Sequence, residues 1–205
     1  MAQISTFLST IGQGVKPNMF VIDIEWPQSG GVEPPQADIE LTNLLCKSAA
    51  LPNSTVGTIE VPFRGRTVKI AGDRTFDTWT STFFNDKEFK SRAYFERWME
   101  AINSHNNNTA DLFLPSQTDG YMATVKVKQL EKDNSEKGRI LRQYNLIHCF
   151  PASVSQIDLA YDSNDQIEEF AVEWQYSYWH AVTPQSGPAD SGSKDVVGNT
   201  ILIEK

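Results

Sequence analysis

The sequence predicts a mainly β domain (α+β) with a single long helix, and three observations carry that reading. The stretch 56–71 pairs with itself when folded back on Arg64-Gly65. Apolar and polar residues alternate over 19–26 and again over 167–180, the period of a half-buried strand. Phe95, Trp98, Met99 and Ile102 recur at helical spacing within 86–103.

From the N-terminus, Phe7, Leu8 and Ile11 place a short helix over 4–11, which Gly12, Gly14 and Pro17 end. In the strand 19–26, Phe20, Ile22, Ile24 and Trp26 take one face, and Val21, Asp23 and Glu25 the other. The Gly/Pro-rich run 27–38 reads as a surface loop. A second strand is expected over 39–51, containing Cys46, and Pro52-Asn53 turns it into the hairpin.

The hairpin specifies its own register. With Arg64-Gly65 as a two-residue loop, Phe63 faces Arg66, Val61 faces Val68 and Ile59 faces Ile70 on one side. Pro62 faces Thr67, Glu60 faces Lys69 and Thr58 faces Ala71 on the other. Each such pair contributes about 0.2–1 kcal/mol, and a one-residue slip would turn the whole apolar set outward. Ile59, Val61, Val68 and Ile70 are therefore expected in the core. Ala71-Gly72-Asp73-Arg74 reads as a turn, where an Asp side chain bonds nearby backbone. A Thr/Phe-rich third strand follows, and Asn85 with Glu88 forms a capping-box pattern that opens the helix 86–103.

Beyond the helix, 104–119 is an Asn-rich loop around Leu112-Phe113-Leu114. A second long hairpin is expected from 121–130 and 139–150, with a charged tip at 131–138 and with Lys126 and Lys128 on a solvated face. The segment 151–165 reads as irregular. In the strand 167–180, Phe170, Val172, Trp174, Tyr176 and Tyr178 form an aromatic core face, opposed by Glu169, Ala171, Glu173, Gln175 and Ser177. The Gly/Ser/Pro-rich run after Thr183 reads as a linker to a strand-like arm at 196–205. The expected organisation is a domain over 1–180 and a linker with C-terminal arm over 181–205.

Composition excludes several functions. A net charge of −8 argues against a general nucleic-acid binder. Two distant cysteines, Cys46 and Cys149, read as reduced and buried. Neither a signal peptide nor a run of ~20 apolar residues is visible. His105, His148 and His180 lack metal-ligand spacing, and no phosphate loop or nucleophile elbow occurs. Asp73, Asp77, Glu169 and Glu173 are the carboxylates to consider for acid–base work, and their positions read as turn caps and solvated faces. No catalytic, cofactor-binding or metal-binding residue is expected.

One run has a more specific wording: Ala71-Gly72-Asp73-Arg74-Thr75-Phe76-Asp77-Thr78-Trp79-Thr80, with Asn85-Asp86 opening the helix. In order with it stand Lys16-Pro17-Asn18-Met19-Phe20, Cys46-Lys47-Ser48-Ala49-Ala50-Leu51-Pro52, Phe95-Glu96-Arg97-Trp98, and 162–167 through Tyr178-Trp179. This ordered set resembles the tail tube proteins of contractile-tailed (myovirus) bacteriophages over about 1–180. The resemblance implies two packed antiparallel sheets flanked by one helix, in a structural protein without a cofactor. It implies six copies in a ring whose strands join one inner barrel, and rings stacked head-to-tail into a tube. The implied partners are further copies of the chain, the tail sheath protein, baseplate and tail terminator proteins, and viral DNA passing unbound through the lumen. The implied place is the virion tail, assembled in the host cytoplasm. On this reading Thr58, Glu60, Thr67, Lys69, Glu169, Glu173 and Gln175 are expected to face the lumen, and Gly72, Asp73 and Arg74 a neighbouring subunit. Three alternatives stay open: a tube initiator or terminator of the same fold, a carbohydrate-binding module with Trp26 or Trp179 as platform, and a hydrolase with paired carboxylates.

Overall fold

Alternation places strands where the sequence expects them at both ends of the domain, and tertiary packing decides the rest. The computed structural model describes residues 3–12, 14–112, 114–116, 120–132, 140–164 and 166–182. In chain order the elements are α1 (Gln3–Ile11), β1 (Phe20–Glu25), α2 (Gln36–Leu44), β2 (Cys46–Ala49), β3 (Thr55–Phe63) and β4 (Arg66–Thr75). They continue with β5 (Trp79–Phe84), α3 (Lys90–Ile102), β6 (Ala123–Leu130), β7 (Ile140–Val154), β8 (Glu169–Gln175) and β9 (Tyr178–Val182). Seven strands follow the order β1-β6-β7-β8-β5-β2, with β9 also on β7, and every pairing is antiparallel. The hairpin β3–β4 is a separate two-stranded ribbon.

Strand β7 belongs to two antiparallel sheets. Its first part, 140–149, lies between β6 and β9, and its second part, 150–154, pairs with β8. The changeover falls at His148, a non-glycine residue at φ +57°. The sequence reading ends this strand at Phe150 and expects 151–165 to be irregular; β7 continues to Val154. Pro151 is accommodated here beside a register shift between Pro151 and Ser153, the kind of place where a sheet tolerates proline.

The core is aromatic. Trp98, Trp174, Phe83, Phe95 and Phe170 are all fully buried, and their rings meet at centroid distances such as 5.7 Å (Phe83–Phe170) and 5.8 Å (Trp98–Trp174). Trp26 joins the cluster 5.0 Å from Trp98. Phe95 and Trp98 come from one face of α3, so the expected stripe is a packing face. Four of the five indoles have acceptors: Trp79 Nε1 donates to Ala50 O (2.7 Å), Trp98 to Tyr121 O (2.9 Å), Trp174 to Ser81 Oγ (2.8 Å) and Trp179 to Asn53 O (2.8 Å). Trp26 Nε1 is buried with no partner among the described residues.

Several boundaries differ from the sequence reading, each for a physical reason. Residues 36–44 form a helix, not the start of a strand. Pro35 precedes its first turn, the Thr42 hydroxyl donates to Asp38 O (2.8 Å), and Tyr94 Oη donates to Asp38 Oδ2 (2.7 Å), tying α2 to α3. Helix α3 begins at Lys90, not at 86, and its cap is neither Asn85 nor Glu88. Asp86 takes that role, its carboxylate accepting from the N–H groups of Lys90 (3.1 Å) and Ser91 (3.0 Å). Burial pushes the Asp86 carboxyl up, but the hydrogen bonds from Ser91 and Lys90 outweigh it and hold the group below its ordinary value. Asn85 instead donates to Glu168 Oε2 (2.9 Å), and Glu88 pairs with Lys90 (2.5 Å). The last core strand is broken at 176–177 into β8 and β9, which turns Tyr178 outward, so it is exposed and not core. Ala181 and Val182, which the sequence reading assigned to the arm, are buried in β9. The remainder of that arm, 183–205, most of the charged tip, 133–138, and residue 139 after it lie outside the described residues.

Candidate functional site

The hairpin folds in the register its sequence dictates. All six pairs from Thr58↔Ala71 to Phe63↔Arg66 are present. Arg64 (φ +47°) and Gly65 (φ +83°) both sit in the left-handed region, which makes the loop a type I′ turn whose twist matches the strands. Glu60 and Lys69 meet on the polar face at 3.6 Å, both well exposed.

Two expectations about this stretch fail. Gly72-Asp73-Arg74 is not a turn: β4 runs through it to Thr75. Pairing shifts between Val56↔Arg74 and Thr58↔Ala71, so Gly72 and Asp73 together oppose Gly57 in a β-bulge. The backbones come so close there that a Cβ on Gly57 would lie 3.3 Å from Asp73 O, and one on Gly72 3.3 Å from Gly57 O. The turn-like composition thus reflects tight backbone approach. Arg74 donates to Ser54 Oγ (3.3 Å). The second failure is burial. Ile59, Val61, Val68 and Ile70 are 42–54% exposed and line no core among the described residues. Phe63, on the same face, is 62% exposed. No strand of the seven-stranded sheet pairs with the ribbon, and the exposure of its apolar side chains shows that face uncovered by the described residues of its own chain.

The β8 candidates lie on a different surface. Phe170, Val172 and Trp174 are buried, as alternation requires, and Glu169, Ala171, Glu173 and Gln175 point the other way. Register sets Glu173 opposite Thr80 and Glu169 opposite Phe84 on β5. Glu169 pairs with Lys47 (2.5 Å) and Gln175 donates to Thr78 Oγ1 (3.0 Å). This face is a polar, mostly uncharged-to-acidic wall with one basic side chain at its β2 margin. Thr58, Glu60, Thr67 and Lys69 occupy the polar face of the ribbon. The single chain therefore presents the two sets on separate exposed surfaces.

Other residues singled out by the sequence do not form a reaction centre. Asp77 accepts from Asn53 Nδ2 (2.8 Å) in the link between β4 and β5, while Asp73 lies in β4 and Glu169 and Glu173 in β8. Among the described residues no three His, Cys, Asp or Glu side chains converge for a metal. Trp26 is buried and Trp179 packs on Tyr144 with its N–H bonded to Asn53 O, so neither is an open sugar platform. Lys126 pairs with Glu25 and Lys128 with Asp23 (3.0 Å), as a solvated strand face would. Cys149 is buried as expected and Cys46 only half-buried; burial pushes both thiols up to about 12, against smaller opposing hydrogen bonds with the backbone of Ser48 (Cys46) and Val125 (Cys149).

Sequence reasoning missed how the sheet edges are managed. At the β1 edge the Ile24 N–H donates to Asn43 Oδ1 (3.3 Å), and the Asn43 amide donates to Asp23 Oδ1 (3.5 Å), so α2 covers that edge. No periodicity announces an Asn that caps a strand nineteen residues away.

Comparison with known proteins bears on this arrangement. The profile of the family described as phage tail tube protein matches residues 15–182. The tail tube protein gp19 of Enterobacteria phage T4 is 29% identical over 168 residues, covering 82% of this chain and 92% of the relative. The tail tube protein of Serratia phage KSP90 is 25% identical over 143 residues, 70% of this chain and 75% of the relative. Among solved structures, a chain of the anti-feeding prophage baseplate superposes with a TM-score of 0.57 at 12% identity, covering 81% of this chain and 93% of that one. A chain of the sheath–tube complex of the PVC extracellular contractile injection system gives 0.55 at 14% identity, covering 90% and 100%.

Proposed function

The chain belongs to the phage tail tube protein family, and from that premise we propose that six copies close into a ring. Rings stack head-to-tail into the inner tube of a contractile tail, and viral DNA leaves through the lumen during ejection. The sheath protein surrounds the tube, and baseplate and terminator proteins bound its two ends. Assembly takes place in the host cytoplasm and the product is part of the virion tail.

The observation that carries this reading is the ribbon β3–β4. An isolated two-stranded hairpin is at best marginally stable in water, yet this one has a fully specified register and an apolar face left uncovered by the described residues of its own chain. Such a face, uncovered by the described residues, is open to another chain. Because the edge at β1 is already capped by Asn43, the free ribbon reaches a neighbour by a contact between unlike surfaces. Contacts of that kind close into rings or continue as filaments. In the ring the ribbon's polar face, Thr58, Glu60, Thr67 and Lys69, joins Glu169, Glu173 and Gln175 as lumen wall. The bulge at Gly72-Asp73-Arg74 lies at the subunit boundary. A wall of hydroxyls and carboxylates with few cations offers phosphates little counterion release, so DNA slides without being held.

Negative-stain imaging of the purified chain at rising concentration tests the assembly. Hollow rods of uniform diameter are expected, and a chain that stays monomeric across salt and concentration overturns the reading. A reconstruction of the rods tests the wall: Glu60 and Glu173 on the outer surface would refute the lumen assignment.

A further inference from the structure

We infer that α1 of one subunit seats its apolar face on the apolar face of the β3–β4 ribbon of the adjacent subunit; this rests on the tube reading above. Helix α1 carries Ile4, Phe7, Leu8 and Ile11 at i, i+3, i+4 and i+7, one stripe of a helix. All four are at least half exposed and none of its residues is buried. A helix of nine residues is too short to hold in water by itself. It therefore needs a surface that the described part of its own chain does not supply. It also lies outside the stretch 15–182 that the family profile matches.

The ribbon is the matching surface. Its apolar face presents Ile59, Val61, Phe63, Val68 and Ile70, all exposed. The stripe from Ile59 to Phe63 is about 13 Å long at the strand rise, and α1 is about 13 Å long at the helical rise. Charge sets no obstacle, since α1 reads QISTFLSTI and has no ionisable side chain. Position favours two chains over one. Helix α1 leads into β1, one end of the strand order, and its C-terminal end shares a cleft with Val15, Leu130 and Leu141. The ribbon is inserted between β2 and β5, at the other end. Gly12 and Gly14, at φ +54° and +63°, let α1 leave the domain at an angle that other residues adopt only under strain. Within the subunit, α3 covers the inner face of β5 and β8 through Phe95 and Trp98. The neighbour's α1 does the same for the ribbon, leaving the ribbon's polar face for the lumen.

The test uses the full chain. Phe7→Ser with Leu8→Ser should leave the melting temperature of the unassembled chain unchanged, because both side chains are more than half exposed among the described residues. It should raise the concentration needed for rod formation at least roughly tenfold, the change two apolar anchors per contact carry. Ile59→Ser with Val68→Ser should do the same, and the four substitutions together should be no worse than either pair. A chain with Leu8→Cys and Ile59→Cys should form disulfide-linked oligomers up to the hexamer in assembled rods, and none when dilute. Rods that form from the Phe7/Leu8 variant at the wild-type concentration overturn the inference. So do assembled rods in which the two introduced thiols stay unlinked, or normal rods that have lost only sheath binding. Failure of the wild-type chain to form rods overturns the tube reading instead, which keeps the two outcomes apart.

Discussion

Replacing Trp174 by Phe should unsettle the core through one hydrogen bond as much as through volume. Trp174 is fully buried, packs against Trp79, Phe95 and Trp98, and donates its indole N–H to Ser81 Oγ at 2.8 Å. Ser81 is itself 1% exposed. Trimming the indole to a phenyl ring costs less than the ~3–5 kcal/mol of full truncation, about 2 kcal/mol. Stranding the Ser81 hydroxyl adds about 1–3 kcal/mol. The total, about 3–5 kcal/mol, is a large part of a typical domain's stability, and lowers the melting temperature by roughly 6–20 °C. Ser81→Ala alone strands the indole N–H and costs about 1–3 kcal/mol. In the double variant neither group is stranded, so Ser81→Ala should be neutral or stabilising once Trp174 is replaced by Phe. Urea unfolding of the four proteins, followed by circular dichroism below the assembly concentration, gives the coupling directly. A cost for Ser81→Ala that is the same in both backgrounds refutes the hydrogen-bond account.

Three further outcomes follow from the geometry. Asp86→Ala removes the acceptor for two N–H groups of α3 and should cost about 1 kcal/mol, measured by chemical unfolding. Because the folded Asp86 carboxyl sits below its ordinary value, its contribution is present above the unfolded pKa and is lost as pH falls through the folded one. The wild type and the alanine variant should therefore converge in stability at low pH, and a gap that stays constant through acid unfolding refutes the assignment. With thiols raised to about 12, Cys46 and Cys149 should resist iodoacetamide under mildly alkaline conditions in the folded chain and react fully in urea, as mass spectrometry would report. Gly72→Val should weaken the ribbon and rod formation while leaving the aromatic core's melting transition in place, since the close approach lies wholly within β3 and β4.

What the sequence made legible are features whose cause is local. The ribbon's register follows from pair chemistry and a two-residue loop, and β1 and β8 follow from alternation over buried partners such as Ile22, Ile24, Phe170 and Trp174. The helical start at Gln36 is hidden because Ile39, Leu41, Leu44 and Leu45 suit a strand as well as a helix, and the partners of Thr42, Asp38 O and Ser91 Oγ, appear only in the fold. Asn85 and Asp86 both suit the capping of α3 by composition, and only the fold separates them, since Asn85 donates to Glu168 while Asp86 accepts from Lys90 and Ser91. The strand expected to end at Phe150 runs on past Pro151 because β8 pairs with it there. The candidate site was legible as faces but not as a site. Alternation says which residues share a side of the ribbon; it is silent on whether the cover comes from the same chain, and the exposure of Ile59, Val61, Val68 and Ile70 is the answer only the fold supplies.

Strand β7 has a mechanical meaning for the domain in the tube proposed above. A structure pushed along its axis loads its subunits in shear, and two sheets joined only by loops would slide at the weakest linker. Here one continuous backbone, Ile140–Val154, is hydrogen-bonded to β6 and β9 along one part and to β8 along the other. Displacing either sheet past the other must strain ladders on both sides of His148 together. The two sheets of one chain therefore resist sliding together, and in the stack proposed above compliance falls to the contacts between copies and to the separate β3–β4 ribbon.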